Sequence, residues 1–337
     1  MIKQKIVNWE ALGFLRFVLA CIVSFGHLTF FSVKPAAWTF VAYDLGGKAA
    51  VLGFFLVSGY SIAASLESSP VGYFRRRLLR IYPLYITAIT VAIIVQLATG
   101  GHVEAPRRTF EGGTWISVLG NAVLLQTFVV KTMDYINPVW SLSIEVFFYA
   151  LAPLLIRLSR QKLVALLLVS LVCFMLPVHT DWGAAYYFLC KFNALRFMWC
   201  WLLGFLLWHD RRPLFIIFSI ATVGLLLVHE TTPEPLSIVT YGIAVGTVAF
   251  SRWIALPKYI GEAFTYLGDI SYPLYLFHYP VLIYVWAKFG IENSFALALV
   301  SIIVSLIAYY IIDRLLKPRY LKPLFISRIT TVLPINL

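Results

Sequence analysis

The chain has 337 residues, of which 61% are hydrophobic, 16% aromatic and only 12% charged, with a mean hydropathy of +0.86. A soluble domain carries about a quarter charged residues, so solubility is excluded, and disorder, a disulfide scaffold and a fibrous repeat go with it. The net charge of +12 sits in short basic clusters between apolar runs, the pattern of a membrane protein and not of a nucleic-acid binder.

A bilayer crossing needs about 20 apolar residues. Apolar runs are predicted near 9–30, 45–65, 81–99, 138–156, 163–178, 187–207, 214–229, 236–251, 269–287 and 295–313. Lys3 and Lys5 ahead of the first run resemble a signal peptide, but no small-residue cleavage site follows, and a retained first span is expected. An eleventh run, 115–130, is short and carries Asn121 and Gln126. If it spanned, every later basic loop would change sides. Taken as interfacial or re-entrant, it leaves 18 of the 27 Lys and Arg inside, five outside and four within spans. The expected fold is all-α: a polytopic membrane helix bundle of about ten transmembrane helices with both termini cytoplasmic. One integral-membrane domain covers 1–330, and 331–337 is a C-terminal tail. Cys21, Cys173, Cys190 and Cys200 all fall in apolar runs and read as small hydrophobes.

Ionisable residues inside spans are expensive and usually face a protein interior. Here they are Arg16 and His27 in the first span, Lys48 in the second, Glu145 in the fourth, Lys191 and Arg196 in the sixth, and His278 in the ninth. A polar cavity through the bundle explains them economically. Arg16 and His27 are eleven residues apart, three helical turns, so they share a face with roughly 16 Å between them. Each alone is equally an end-of-span Arg and a core His. Glu145 follows Trp140-Ser141-Leu142-Ser143-Ile144 at the outer opening of its span, which suggests a depth similar to that of His27. A carboxylate beside an imidazole orients it and raises its basicity; the alternative is a structural ion pair or an early-turn cap with Ser141. Arg75, Arg76, Arg77 and Arg80 satisfy positive-inside orientation, yet beside Tyr82 and Tyr85 they also suit phosphates and an adenine ring. His278, among aromatic neighbours, is either a satisfied core residue or a substrate contact. No zinc-ligand spacing, phosphate-binding glycine loop or nucleophile elbow occurs, so no metal is expected.

Five segments in order resemble the membrane acyltransferase 3 family, integral-membrane O-acyltransferases. They are Arg16 with His27 eleven residues on; Gly53 through Tyr60; Arg77-Leu78-Leu79-Arg80 before Tyr82-Pro83; Trp140 through Glu145, leading to Phe148-Tyr149; and Ser271-Tyr272 through His278-Tyr279-Pro280. Relatives often carry a second Glu where Val146 stands, and an Asp-Gly-Leu-Arg opening where this chain has Gly13-Phe14-Leu15-Arg16. The resemblance implies transfer of an acyl group, acetyl first, from cytoplasmic acyl-CoA to a hydroxyl of a surface glycan or lipid-linked saccharide in a bacterial inner membrane. Acyl-CoA would be a co-substrate, with no permanently bound cofactor and the bilayer as the other partner. Arg16, Arg76, Arg77, Arg80 and Tyr82 would bind it. His27 would act as base or transient acyl carrier, with Glu145 orienting or deprotonating it. Ser58, Trp140, Ser141, Ser143, Tyr275 and His278 would contact the acceptor or line the cavity. The competing class is a transporter or flippase using the same intramembrane charges, although inverted repeats are not evident.

Overall fold

The computed structural model describes residues 7–175, 192–209 and 234–321. Helix α1 (Trp9–Gly26) continues into a 3-10 turn, His27–Phe31, and is followed by α2 (Ala37–Asp44), α3 (Gly47–Ser68) and α4 (Tyr73–Ala98). A two-stranded hairpin, β1 (His102–Ala105) and β2 (Arg108–Glu111), precedes α5 (Trp115–Ala122). A second 3-10 turn, Asp134–Val139, leads into α6 (Trp140–Leu155), and α7 (Arg160–Met175) comes next. The remaining helices are α8 (Asn193–His209), α9 (Ser237–Phe250), α10 (Lys258–Phe289) and α11 (Ser294–Ala308), the last running on as a π-helix, Tyr309–Leu321.

Among the described residues, five helical segments are long and apolar enough to cross a membrane: Trp9–Phe31, Gly47–Ser68, Tyr73–Ala98, Asp134–Leu155 and Ser294–Lys317. That is fewer than the ten expected from apolar runs. The described parts of α7, α8 and α9 have 16, 17 and 14 residues, less than the ~20 a hydrocarbon core of about 30 Å requires. Helix α10 has ample length at 32 residues but dilutes its apolar character with tyrosines, His278 and two internal prolines. The expected run at 214–229, Cys190, Lys191 and the tail 331–337 lie outside the described residues. The segment 115–130 does not cross: α5 is eight residues long, and the chain then folds back through a tight turn. Trp115, Ile116, Leu119 and Val123 stay exposed along it, while Asn121 and Gln126 are buried.

Two close helix contacts set the frame. Between lipid-immersed helices the hydrophobic effect supplies little attraction, so small residues that let backbones approach take its place. Gly59 of α3 faces the Trp201 carbonyl, and Gly204 of α8 faces the Leu56 carbonyl; a Cβ on either would run into the facing backbone. Gly13 of α1 meets Gly268 of α10 in the same way, with a Cβ added to Gly268 falling 2.7 Å from the Gly13 Cα. Helix α3 is the most enclosed of the crossing segments, with 83% of its apolar window buried. Helices α1 and α10 run side by side from the Gly13–Gly268 contact to a meeting of His27 with His278. Near the start of α1, Trp9 contacts Tyr60 and Trp208, where α3 and α8 end. The bundle therefore has an arginine end, which carries Arg75–Arg80, and a hairpin end.

The hairpin was not anticipated. Its two four-residue strands pair in register from His102 opposite Glu111 to Ala105 opposite Arg108. Val103 and Phe110 point inward, Phe110 stacking on Phe31 and meeting Tyr279 edge-on. It thus closes the bundle over the His27 turn.

Candidate functional site

Among the cavities of the described residues, two are lined by residues named from the sequence. The one nearer the arginine end holds about 90 Å³ and is walled by α1, α3, α4, α6 and α10. Its charged lining is Arg16, Arg77, Arg80 and Glu145; its hydroxyls include Ser58, Ser141, Tyr149, Tyr272 and Tyr275. The geometry follows from helical spacing. Glu145 and Tyr149 are four residues apart on α6, so they share a face, and the Tyr149 hydroxyl donates to Glu145 Oε1. Ser58 Oγ donates to the Tyr149 hydroxyl at 3.2 Å. Arg77 donates to Ser65 Oγ at 2.8 Å, and its guanidinium lies 5.8 Å from the Tyr73 ring and 6.0 Å from the Tyr149 ring. The Nε atoms of Arg16 and Arg77 are buried with no hydrogen-bond partner. Three guanidiniums against one carboxylate make this an anion-seeking space, and unsatisfied buried N–H groups are what an incoming phosphate or carbonyl would engage.

The second cavity, about 370 Å³, lies toward the hairpin end. His27, Phe30, Tyr43, Lys48, Asn137, Trp140 and Glu234 are among its lining residues. Aromatic faces beside amide and charged groups suit a polyhydroxylated ligand. Tyr275 borders both spaces. Its hydroxyl is tied to Ser141 Oγ at 2.8 Å and to the Pro138 carbonyl, which holds the ring between them.

His27 sits at the C-cap of α1, half-buried. Its Nδ1 is 3.0 Å from His278 Nε2, and the two ring planes are 5° apart. Tyr279 packs edge-on against His27 at 4.9 Å. Arg108 of the hairpin reaches over Tyr279 and Phe30 and lies 3.7 Å from Asp134.

The candidates named from sequence separate accordingly. Arg16, Arg77, Arg80, Ser58, Ser141, Glu145 and Tyr275 share the smaller cavity; His27 and Trp140 line the larger one. The structure does not bring His27 and Glu145 together, and the partner of His27 is His278 instead. The reason is depth. The crossing begins at Asp134, not at Pro138, so Glu145 is eleven residues into it, about 16 Å down from the hairpin end at helical rise. Arg76 does not reach the cavity: its guanidinium donates to the Ser69 and Val71 carbonyls and closes the α3–α4 turn. Tyr82 bonds the Ala122 carbonyl at 3.3 Å, and Ser143 bonds Thr127 and the Trp140 carbonyl, so both brace α5 and α6 instead of lining the cavities. Sequence reading missed Tyr149, Tyr272, Arg108, Asn137 and Glu234. Tyr149 was detectable as the i+4 neighbour of Glu145. Arg108 was not, because a four-residue strand leaves no trace in a search for long apolar runs.

The comparisons with known proteins agree with this arrangement of motifs. A family model described as an acyltransferase domain, Acyl_transf_3, matches residues 9–314. Acyltransferase MdmB of Streptomyces mycarofaciens is 30% identical over 168 residues, covering 47% of this chain and 41% of that protein. The putative acetyltransferase ORF330 of Acidianus two-tailed virus is 26% identical over 233 residues, 61% of this chain and 64% of the relative. The putative membrane-bound transacylase BcsY of Komagataeibacter xylinus is 26% identical over 305 residues, 80% and 76% of the two chains. The matches to MdmB and ORF330 thus span less than two-thirds of those proteins' lengths. No solved structure matches. Because the family model runs from Trp9 to Arg314, across both cavities and every helix that walls them, the chain belongs to the acyltransferase 3 domain family.

Proposed function

We propose that the protein transfers an acyl group, acetyl in the first instance, from cytoplasmic acyl-CoA to a hydroxyl of a surface glycan or lipid-linked saccharide. In this reading it does so within a ten-span bundle in a bacterial inner membrane, both termini cytoplasmic. The observation that carries the reading is the pair of cavities meeting at Tyr275, one lined by arginines and the other by His27.

At about 90 Å³ the arginine-lined cavity suits the end of a slender arm, not a nucleotide. The phosphates of the donor would engage Arg77 and Arg80 at its mouth, and Arg16 would guide the pantetheine arm inward. The thioester would pass Tyr275 and meet the acceptor beside His27. There His27 takes the proton of the acceptor hydroxyl as the oxygen attacks the thioester carbonyl. The C–O bond forms, the intermediate collapses with loss of the C–S bond, and the imidazolium returns its proton to the departing sulfur. The products are the acceptor ester and free CoA thiol. General-base assistance of this kind is worth about 10²–10⁴-fold.

The test is His27→Ala in membranes supplied with labelled acetyl-CoA and saccharide acceptor. Turnover should fall to background while the variant retains wild-type expression and melting. Retained turnover removes His27 from the chemistry. Thioester consumption that depends on the purified protein separates the enzyme from a transporter using the same charges.

A further inference from the structure

We propose that His278 is a positioning residue that fixes the tautomer of His27, through a hydrogen-bond chain ending on a backbone carbonyl. The chemical consequence rests on the proposed acyl transfer; the tautomer itself does not.

His278 is fully buried, 0% exposed, in the middle of α10. Its Nδ1 lies 2.9 Å from the carbonyl oxygen of Leu274, one turn earlier on the same helix. A carbonyl oxygen only accepts, so Nδ1 carries the hydrogen. No carboxylate hydrogen-bonds or ion-pairs with either imidazole among the described residues, and a buried uncompensated imidazolium is costly, so His278 is neutral. A neutral ring protonated at Nδ1 has a lone pair at Nε2. That lone pair faces His27 Nδ1 at 3.0 Å, which makes His27 Nδ1 the donor. His27 is left with its hydrogen on Nδ1 and a bare Nε2, the atom a general base needs.

The order of groups is that of a catalytic triad, with a helix carbonyl and a second imidazole where a carboxylate ordinarily stands. The substitution changes the energetics. A carboxylate stabilises the imidazolium formed during the reaction, whereas here the charge packed over Tyr279 and Phe30, the rings that contact His27, is Arg108, itself 3.7 Å from Asp134. With no carboxylate bonded to either ring among the described residues, the imidazolium is not held, and its proton returns readily to the leaving sulfur. The near-coplanar rings also fix the azimuth of His27, which stands at the end of α1, where the helix no longer restrains it.

The experiment uses the full chain in lipid nanodiscs with ¹⁵N-labelled histidine. In the wild type, the ¹⁵N shifts of His27 should show Nδ1–H and an unprotonated Nε2. His278→Gln keeps an acceptor oxygen close to the position of Nε2 and should preserve both the tautomer and most of the turnover. His278→Phe keeps bulk but offers no acceptor. Its His27 should lose the Nδ1–H preference, and kcat should fall about 10²-fold or more, with the KM for acetyl-CoA unchanged. A wild-type His27 protonated at Nε2 overturns the inference outright, without any folded variant being needed. So does a Phe variant with wild-type kcat, or a Gln variant no better than the Phe variant. If His27→Ala stays active while the tautomer is as stated, the base role of His27 fails and the positioning chain stands.

Discussion

Neutralising Glu145 should tighten donor binding, because the structure puts this carboxylate among arginines and away from His27. Glu145→Gln is isosteric, and Gln still accepts the Tyr149 hydroxyl bond, so the packing of α6 is kept. The cavity then changes from three guanidiniums against one carboxylate to three against none. A bound phosphate about 8 Å from position 145, at an effective dielectric of about 20, is relieved of ~2 kcal/mol of repulsion. That corresponds to roughly 30-fold in Kd. CoA binding to purified protein at low ionic strength, followed by competition or calorimetry, should therefore tighten by about that factor. The gain should shrink with added salt, since screening acts within about 10 Å at 0.1 M. Arg16→Met should shift affinity the other way, and the double variant should return near the wild type. A Gln variant that folds normally and binds CoA no better would refute the placement of Glu145 on the donor side. One that binds normally but loses the His27 Nδ1–H signal would point back to a direct link between the two residues.

Three further outcomes are expected. Gly204→Val drives a side chain into the Leu56 carbonyl and should destabilise the bundle by about 1–3 kcal/mol, seen as a lower melting temperature in detergent, whereas Gly242→Ala, with open space around it, should not. Tyr275→Ala removes the divider between the cavities, so water should reach the thioester, and acceptor-independent release of CoA thiol, read with a thiol reagent, should rise above wild type; no rise would show that Tyr275 does not separate them. On the exposed hairpin, hydrogen bonds donated to the carboxylates of Glu104 and then Glu111 raise the pKa of His102 above its ordinary 6.5. Its contribution to hairpin stability is therefore complete below about 6.5 and lost as pH climbs through the raised value; an NMR titration midpoint at or below 6.5 would contradict this.

The sequence was informative where physics acts along one helix. The eleven-residue spacing of Arg16 and His27 does correspond to α1 with His27 at its cap, and Arg16, His27, Lys48 and Glu145 do border internal cavities, whereas Arg196 and His278 line neither of them. It was silent where the decisive variable is where a crossing begins, or a segment too short to show periodicity. The 3-10 turn Asp134–Val139 carries the chain into the bundle before α6 starts, and nothing in Asp-Tyr-Ile-Asn-Pro-Val announces six residues of descent. Starting the span at Asp134 and not at Pro138 carries Glu145 four residues, ~6 Å, further from the hairpin end. The histidine pair shows the complementary case. His27 and His278 are 251 residues apart, and each alone reads as a satisfied core histidine. What joins them is the Gly13–Gly268 contact earlier on both helices: it sets α1 and α10 at close range and in parallel, so that the imidazoles meet fourteen residues further along α1 and ten further along α10. The chemistry of residue 27 is thus specified partly by two glycines with no chemistry of their own. Widening that crossing, by Gly268→Val for example, should weaken the His27–His278 bond before it unfolds the bundle.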